Sequence, residues 1–65
     1  MNPEDVLWRV LERLEENRRT VAECLDGLDP EKEKELYDAL LEVEQLTQTQ
    51  INIVRRARRR LGLLG

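Results

Sequence analysis

The sequence predicts an all-α fold: an antiparallel two-helix hairpin that dimerises into a four-helix bundle. Three observations carry that expectation. A helix-start signal occurs twice, with a glycine ahead of the second copy; apolar residues recur every three or four positions in both halves; and the chain has only 65 residues. A core of that size supplies about 3–5 kcal/mol, so such chains usually need a staple or a partner. Cys24 is the only cysteine, which excludes an internal disulfide, and the lack of histidine argues against a metal cluster.

The first helix is expected from about Pro3 to Asp26. Asn2-Pro3-Glu4-Asp5 offers a capping side chain, a proline at the first helical position and acids at the positive end of the helix dipole. Gly27 is expected to end it in the left-handed conformation that glycine adopts without strain. Residues 27–29 form the turn, and Asp29-Pro30-Glu31 repeats the start signal for a second helix running from Pro30 to about Leu61. So short a connection makes the helices antiparallel neighbours, and residues 1–65 read as one domain with a basic C-terminal end at 55–65. No alternating run of β-branched residues supports a strand.

The apolar series are Leu7, Val10, Leu11, Leu14, Val21, Cys24 and Leu25, then Leu36, Ala39, Leu40, Val43, Leu46, Ile53, Val54, Ala57 and Leu61. Each face spans roughly 160°, wider than one seam requires. The second helix also outruns the first by roughly 12–16 Å at 1.5 Å per residue, with Pro3 opposite about Ile53. Both features predict a homodimer, with Leu7, Leu11, Leu14, Val21, Leu40, Val43, Val54, Ala57 and Leu61 as its self-association residues. Asn17, Arg18, Thr47 and Gln50 fall on the inward faces, where polar groups cost stability but set register and partner specificity. A ligand-receiving polar site between the helices is the alternative for those four. Trp8, Tyr37 and Leu41 sit about 100–140° from the centres of the faces, as packing flanks or as anchors for a partner.

Charge divides the chain in two. Residues 1–44 hold all fourteen acids and six bases, a balance of -8, while residues 45–65 carry five arginines and no acid, +5. The arginines are Arg55, Arg56, Arg58, Arg59 and Arg60, fanned over about 200° of helix. Elsewhere bases have acids in helical reach: Asp5 with Arg9, Glu15 with Arg18 and Arg19, Glu31 with Lys34. The cluster has no acid within four residues. Three readings stay open for it: pairing with the acidic body of another chain, binding RNA or DNA phosphates, or an amphipathic segment ending Leu61-Gly62-Leu63-Leu64 that meets an anionic membrane or a partner groove. No aromatic interleaves the arginines, because Trp8 and Tyr37 both lie in the acidic part.

Catalysis finds little support. Without histidine or serine, the Ser-His-Asp and Cys-His routes are absent, and acid pairs such as Glu12 with Glu16 and Glu31 with Glu35 read as a solvated surface. Cys24 reads as a small hydrophobe on the apolar face. No cofactor is expected. No apolar run approaches the roughly 20 residues of a membrane span, so an integral membrane protein is not expected. Met1-Asn2-Pro3-Glu4-Asp5 is acidic where a leader would be basic, and a lone cysteine suits a reducing compartment; a soluble cytoplasmic protein is the expectation.

The segment Leu25-Asp26-Gly27-Leu28-Asp29-Pro30-Glu31, set between two amphipathic helices in a chain this short, resembles the layout of the Rop family of small plasmid copy-number proteins. The resemblance implies an antiparallel dimer of hairpins that binds paired RNA loops. Here the bases gather at the C-terminal end, so the family's RNA-binding face maps onto no residues of this chain. The sequence is therefore read as a non-enzymatic interaction or adaptor protein whose arginine-rich end meets an acidic partner, with an RNA- or DNA-binding regulator as the alternative.

Overall fold

In the computed structural model, which describes residues 1–62, two α-helices pack antiparallel into a rod of 46 × 17 × 16 Å. Helix α1 is Pro3–Asp26 and α2 is Lys34–Arg60. No strand is present among the described residues.

Helix α1 begins as its sequence dictates. The Asn2 backbone is extended, and its side-chain Oδ1 accepts a hydrogen bond from the Asp5 amide at 2.9 Å, satisfying one of the amides left free at a helix start. Its end differs from expectation. Gly27 has φ -89° and ψ -4°, an ordinary right-handed conformation, and the helix closes by tightened bonds from the Gly27 amide to the Cys24 carbonyl and from Leu28 to Leu25, both 3.1 Å. The left-handed glycine is Gly62, at φ 72°, just beyond α2.

The second helix starts at Lys34, four residues later than Pro30. The Asp29 carboxylate accepts from the Glu31 and Lys32 amides, and the Glu33 carboxylate reaches back to the Asp29 amide. These reciprocal bonds close a separate turn that ends at Glu33, whose φ of -121° breaks the helical run before Lys34. The connection is thus Gly27 to Glu33 rather than 27–29. A longer connection shortens α2, which now exceeds α1 by three residues, about 4.5 Å. It also shifts the pairing: Arg58, not Ile53, lies near the start of α1, beside Trp8. The large overhang inferred from the sequence is therefore absent from the described residues. The width of the apolar faces is what remains of the case for a partner.

The seam repeats every seven residues. It runs through Leu7, Leu11, Leu14, Arg18, Val21, Leu25 and Leu28 on one side and Tyr37, Leu40, Glu44, Thr47, Ile51, Val54 and Arg58 on the other. Alternating steps of three and four are what keep two helices in contact along a coiled-coil seam. Leu11, Ile51 and Val54 form the core cluster, with Leu7 and Leu14 packed on it; Val21 and Leu25 are buried nearer the turn. Ile51 is the most enclosed residue, at 1% exposure.

Candidate functional site

The two sides of this hairpin differ, and the difference follows from the seam. Because both helices are right-handed and run in opposite directions, residues one step after a seam position on either helix emerge on the same lateral side, and residues one step before emerge on the other. Trp8, Glu15 and Arg55 follow Leu7, Leu14 and Val54. Val6, Val10, Leu36, Val43, Leu46, Gln50 and Ile53 precede seam residues.

The first side is bolted by arginines. Arg55 Nη2 donates to Glu15 Oε1 at 3.2 Å, and the Arg58 guanidinium lies 5.7 Å from the centroid of the Trp8 ring. Arg58 is half-buried, and its Nε is enclosed without a hydrogen-bond partner; the electron-rich ring face offers the cation its compensation. The cluster of five arginines therefore splits. Arg55 and Arg58 hold α1, whereas Arg56, Arg59 and Arg60 are exposed and make no ion pair among the described residues. Arg55, Arg56 and Arg59 line an open cleft with Thr49 and Asn52, about 480 Å³ in volume. No acid lines it, and five donors on each guanidinium suit it to carboxylates or phosphates.

The second side is apolar and open. Val6, Val10, Leu36, Val43, Leu46 and Ile53 are all exposed, Leu46 by 57%. Val10, Leu14, Gln50, Ile53 and Val54 surround a groove of about 280 Å³ whose walls are almost wholly carbon.

Of the residues expected to mediate self-association, Leu11, Val21 and Val54 are buried between the helices of one chain, and Leu7, Leu14, Leu40 and Ala57 are half-buried. Val43 remains exposed on the outer stripe of α2, and Leu61, the capping residue just past α2, is exposed as well. Among the polar residues expected to face inward, only Thr47 is buried, at 3%; its hydroxyl donates to the Val43 carbonyl at 2.8 Å, so it costs no unpaired group. Asn17 and Gln50 are exposed because they lie one step off the seam, and Arg18, though on it, is exposed at its solvent edge. Tyr37 and Leu41 are half-buried, while Trp8 stays 56% exposed. Cys24, expected on an apolar face, is exposed one step before Leu25.

Local pairing is also redistributed. Lys34 Nζ donates to Asp38 Oδ2 at 2.7 Å instead of meeting Glu31, and Glu15 engages Arg55 across the seam instead of Arg18 or Arg19. The hydrogen bond and charge of Asp38 raise the Lys34 ammonium above its ordinary value of 10.5. Ile51 was absent from the apolar series read along α2. The seven-residue alternation through Thr47, Ile51 and Val54 is the signal that identifies it.

Leu63, Leu64 and Gly65 lie outside the described residues, and with them the apolar end proposed for a membrane or a partner groove. No helix among the described residues is long and apolar enough to cross a membrane. Comparisons with protein-family models, with curated proteins and with solved structures find no match to this chain.

Proposed function

We propose that this chain is a non-enzymatic interaction module that associates with a second copy and presents the basic end of α2 to an acidic partner. The observation that carries the reading is the division of labour within one arginine cluster: Arg55 and Arg58 engage α1, leaving Arg56, Arg59 and Arg60 exposed without acids of their own. Unpaired like charges on adjacent turns repel, so their concentration at one end favours a ligand that neutralises them. Self-association is supported by the opposite side, where exposed apolar residues run the length of α2.

A second reading has one observation in its favour. Thr49 and Asn52 beside three arginines form a polar cleft of the kind that holds phosphate oxygens, which suits RNA or DNA. Fluorescence anisotropy with a poly-glutamate peptide and with a hairpin RNA, at low and moderate salt, separates the two. The adaptor reading expects the peptide to bind the intact chain, more weakly as salt rises, and not to bind a chain carrying Arg59→Gln and Arg60→Gln. RNA binding with no peptide binding would replace it by the nucleic-acid reading. If neither ligand binds at micromolar protein, both fall.

A further inference from the structure

We propose that the occupant of the open apolar side is a second copy of this chain, with α2 laid antiparallel against α2 about a two-fold axis near Gln48, so that Glu42 of each copy pairs with Arg56 of the other. This rests on the self-association part of the reading above and adds its register.

The argument begins with a second seven-residue repeat on α2, offset by one position from the seam to α1. It runs Leu36, Ala39, Val43, Leu46, Gln50, Ile53, Ala57 and Arg60, in alternating steps of three and four. A single hairpin uses only one such stripe, and this one is left facing water: Leu36, Val43, Leu46 and Ile53 are all exposed. A helix with two adjacent heptad stripes is built for two helical neighbours.

Charge selects the neighbour and its direction. The positions flanking this stripe on the edge away from α1 are Glu35, Glu42, Thr49 and Arg56, all exposed. The flank is acidic toward the turn and basic toward the free end. Laid parallel, this flank would face the opposite edge of its copy, Leu40, Thr47 and Val54, and leave Glu42 and Arg56 without a partner; laid antiparallel, the flank meets itself reversed and sets acid against base. Coiled-coil geometry then fixes the layers. Val43 lies level with Ile53 of the second copy, Leu46 with Gln50, Ala39 with Ala57, and Leu36 with the stem of Arg60. In that register Glu42 meets Arg56 twice, and Thr49 meets its own copy near the axis.

Size agrees as well. One lateral face of a 46 × 17 × 16 Å rod is comparable to the roughly 800 Å² that each partner contributes to a standard interface. The groove among Val10, Leu14, Gln50, Ile53 and Val54 lies level with Val43 and Leu46 of the second copy and would receive them.

Sedimentation equilibrium on the full chain, with charge-swapped variants, tests this. The wild type is expected at about twice 7.7 kDa. Glu42→Arg alone and Arg56→Glu alone each set like charges together twice and are expected to weaken the dimer about tenfold. The chain carrying both substitutions recovers wild-type association, and so does an equimolar mixture of the two single variants, because each then supplies the charge the other lacks. All these residues are exposed in the hairpin, so circular dichroism should remain helical throughout. A dimer indifferent to these swaps, or one that neither the double variant nor the mixture rescues, overturns the register while leaving self-association standing. A folded species of 7.7 kDa overturns both. Arg59 and Arg60, altered in the peptide-binding experiment, lie outside the Glu42–Arg56 pairs, so an unsubstituted chain that dimerises in this register yet binds no peptide counts only against the acidic partner.

Discussion

Arg55, near the end of α2, reaches Glu15 in the middle of α1, forty residues earlier, and closes a 3.2 Å bond across the hairpin. Both side chains are more than a third exposed to water, Arg55 by 52% and Glu15 by 35%. The pair therefore acts less as a source of stability than as a marker of alignment, tying one arginine of the basic cluster to the hairpin itself.

A double-mutant cycle should show this. Arg55→Gln and Glu15→Gln, singly and together in urea denaturation, are expected to give a coupling at the low end of about 0.2–1 kcal/mol, shrinking further as salt is added. Arg55→Gln should also reduce binding of a poly-glutamate peptide far less than the Arg59→Gln, Arg60→Gln chain does.

Ile51 and Ile53 differ by two positions and should differ sharply in consequence. Ile51 is enclosed in the seam and Ile53 is 51% exposed beside it. Ile51→Ala removes enclosed carbon and leaves a void, costing about 2–5 kcal/mol, which is most of what a core this small supplies. Thermal melts should show it largely unfolded at room temperature. Ile53→Ala should keep its helical signal and lose association instead, so its melting temperature should depend less on protein concentration than that of the wild type.

The two described glycines outside the helices should respond in opposite directions. At Gly27 a Cβ would sit 3.6 Å from the Cys24 carbonyl oxygen, an ordinary contact, with a backbone that any residue adopts. Gly27→Ala is expected to be neutral or to stabilise by about 0.4–1 kcal/mol by restricting the unfolded chain. Gly62 has room around it but sits at φ 72°, so Gly62→Ala should cost about 1 kcal/mol locally and fray the last turn of α2. Amide hydrogen exchange at Arg59, Arg60 and Leu61 reads that fraying.

Lys34 and Asp38 give a pH signature. Folding raises the ammonium above 10.5, so the stabilising contribution is complete below that value in the unfolded chain and disappears as pH rises through the higher folded value. Asp38→Asn should bring Lys34 back toward 10.5, followed through the Lys34 side-chain resonances in an NMR titration. A Lys34 titration that Asp38→Asn leaves unmoved would contradict the pair.

How far the sequence could be read depended on whether a feature was local. The cap of α1 lies in four consecutive residues, and Asn2 bonds Asp5 as the pattern implies. The start of α2 was not legible, because Asp29 and Glu33 satisfy each other's backbone in a turn of their own, and a start signal does not reveal whether the helix that follows is unbroken. Ile51 was missed because Val43, Leu46 and Ile53, as apolar as any core residue, drew the centre of the face toward the outer stripe. Two overlapping stripes look like one wide face until a partner helix divides them. For the arginines, spacing alone sees neighbours within a turn, so a bond from Arg55 to Glu15 and the seat of Arg58 on Trp8 lay beyond it.

The contact between Trp8 and Arg58 has a practical corollary. Trp8 is the sole tryptophan, and it sits at the open end of the hairpin, far from the turn, with a cation 5.7 Å from its ring. Its emission therefore reports when the last turns of α2 part from the first turns of α1. The protein carries a built-in optical gauge of whether its two free ends are clasped, readable in a cuvette without a label.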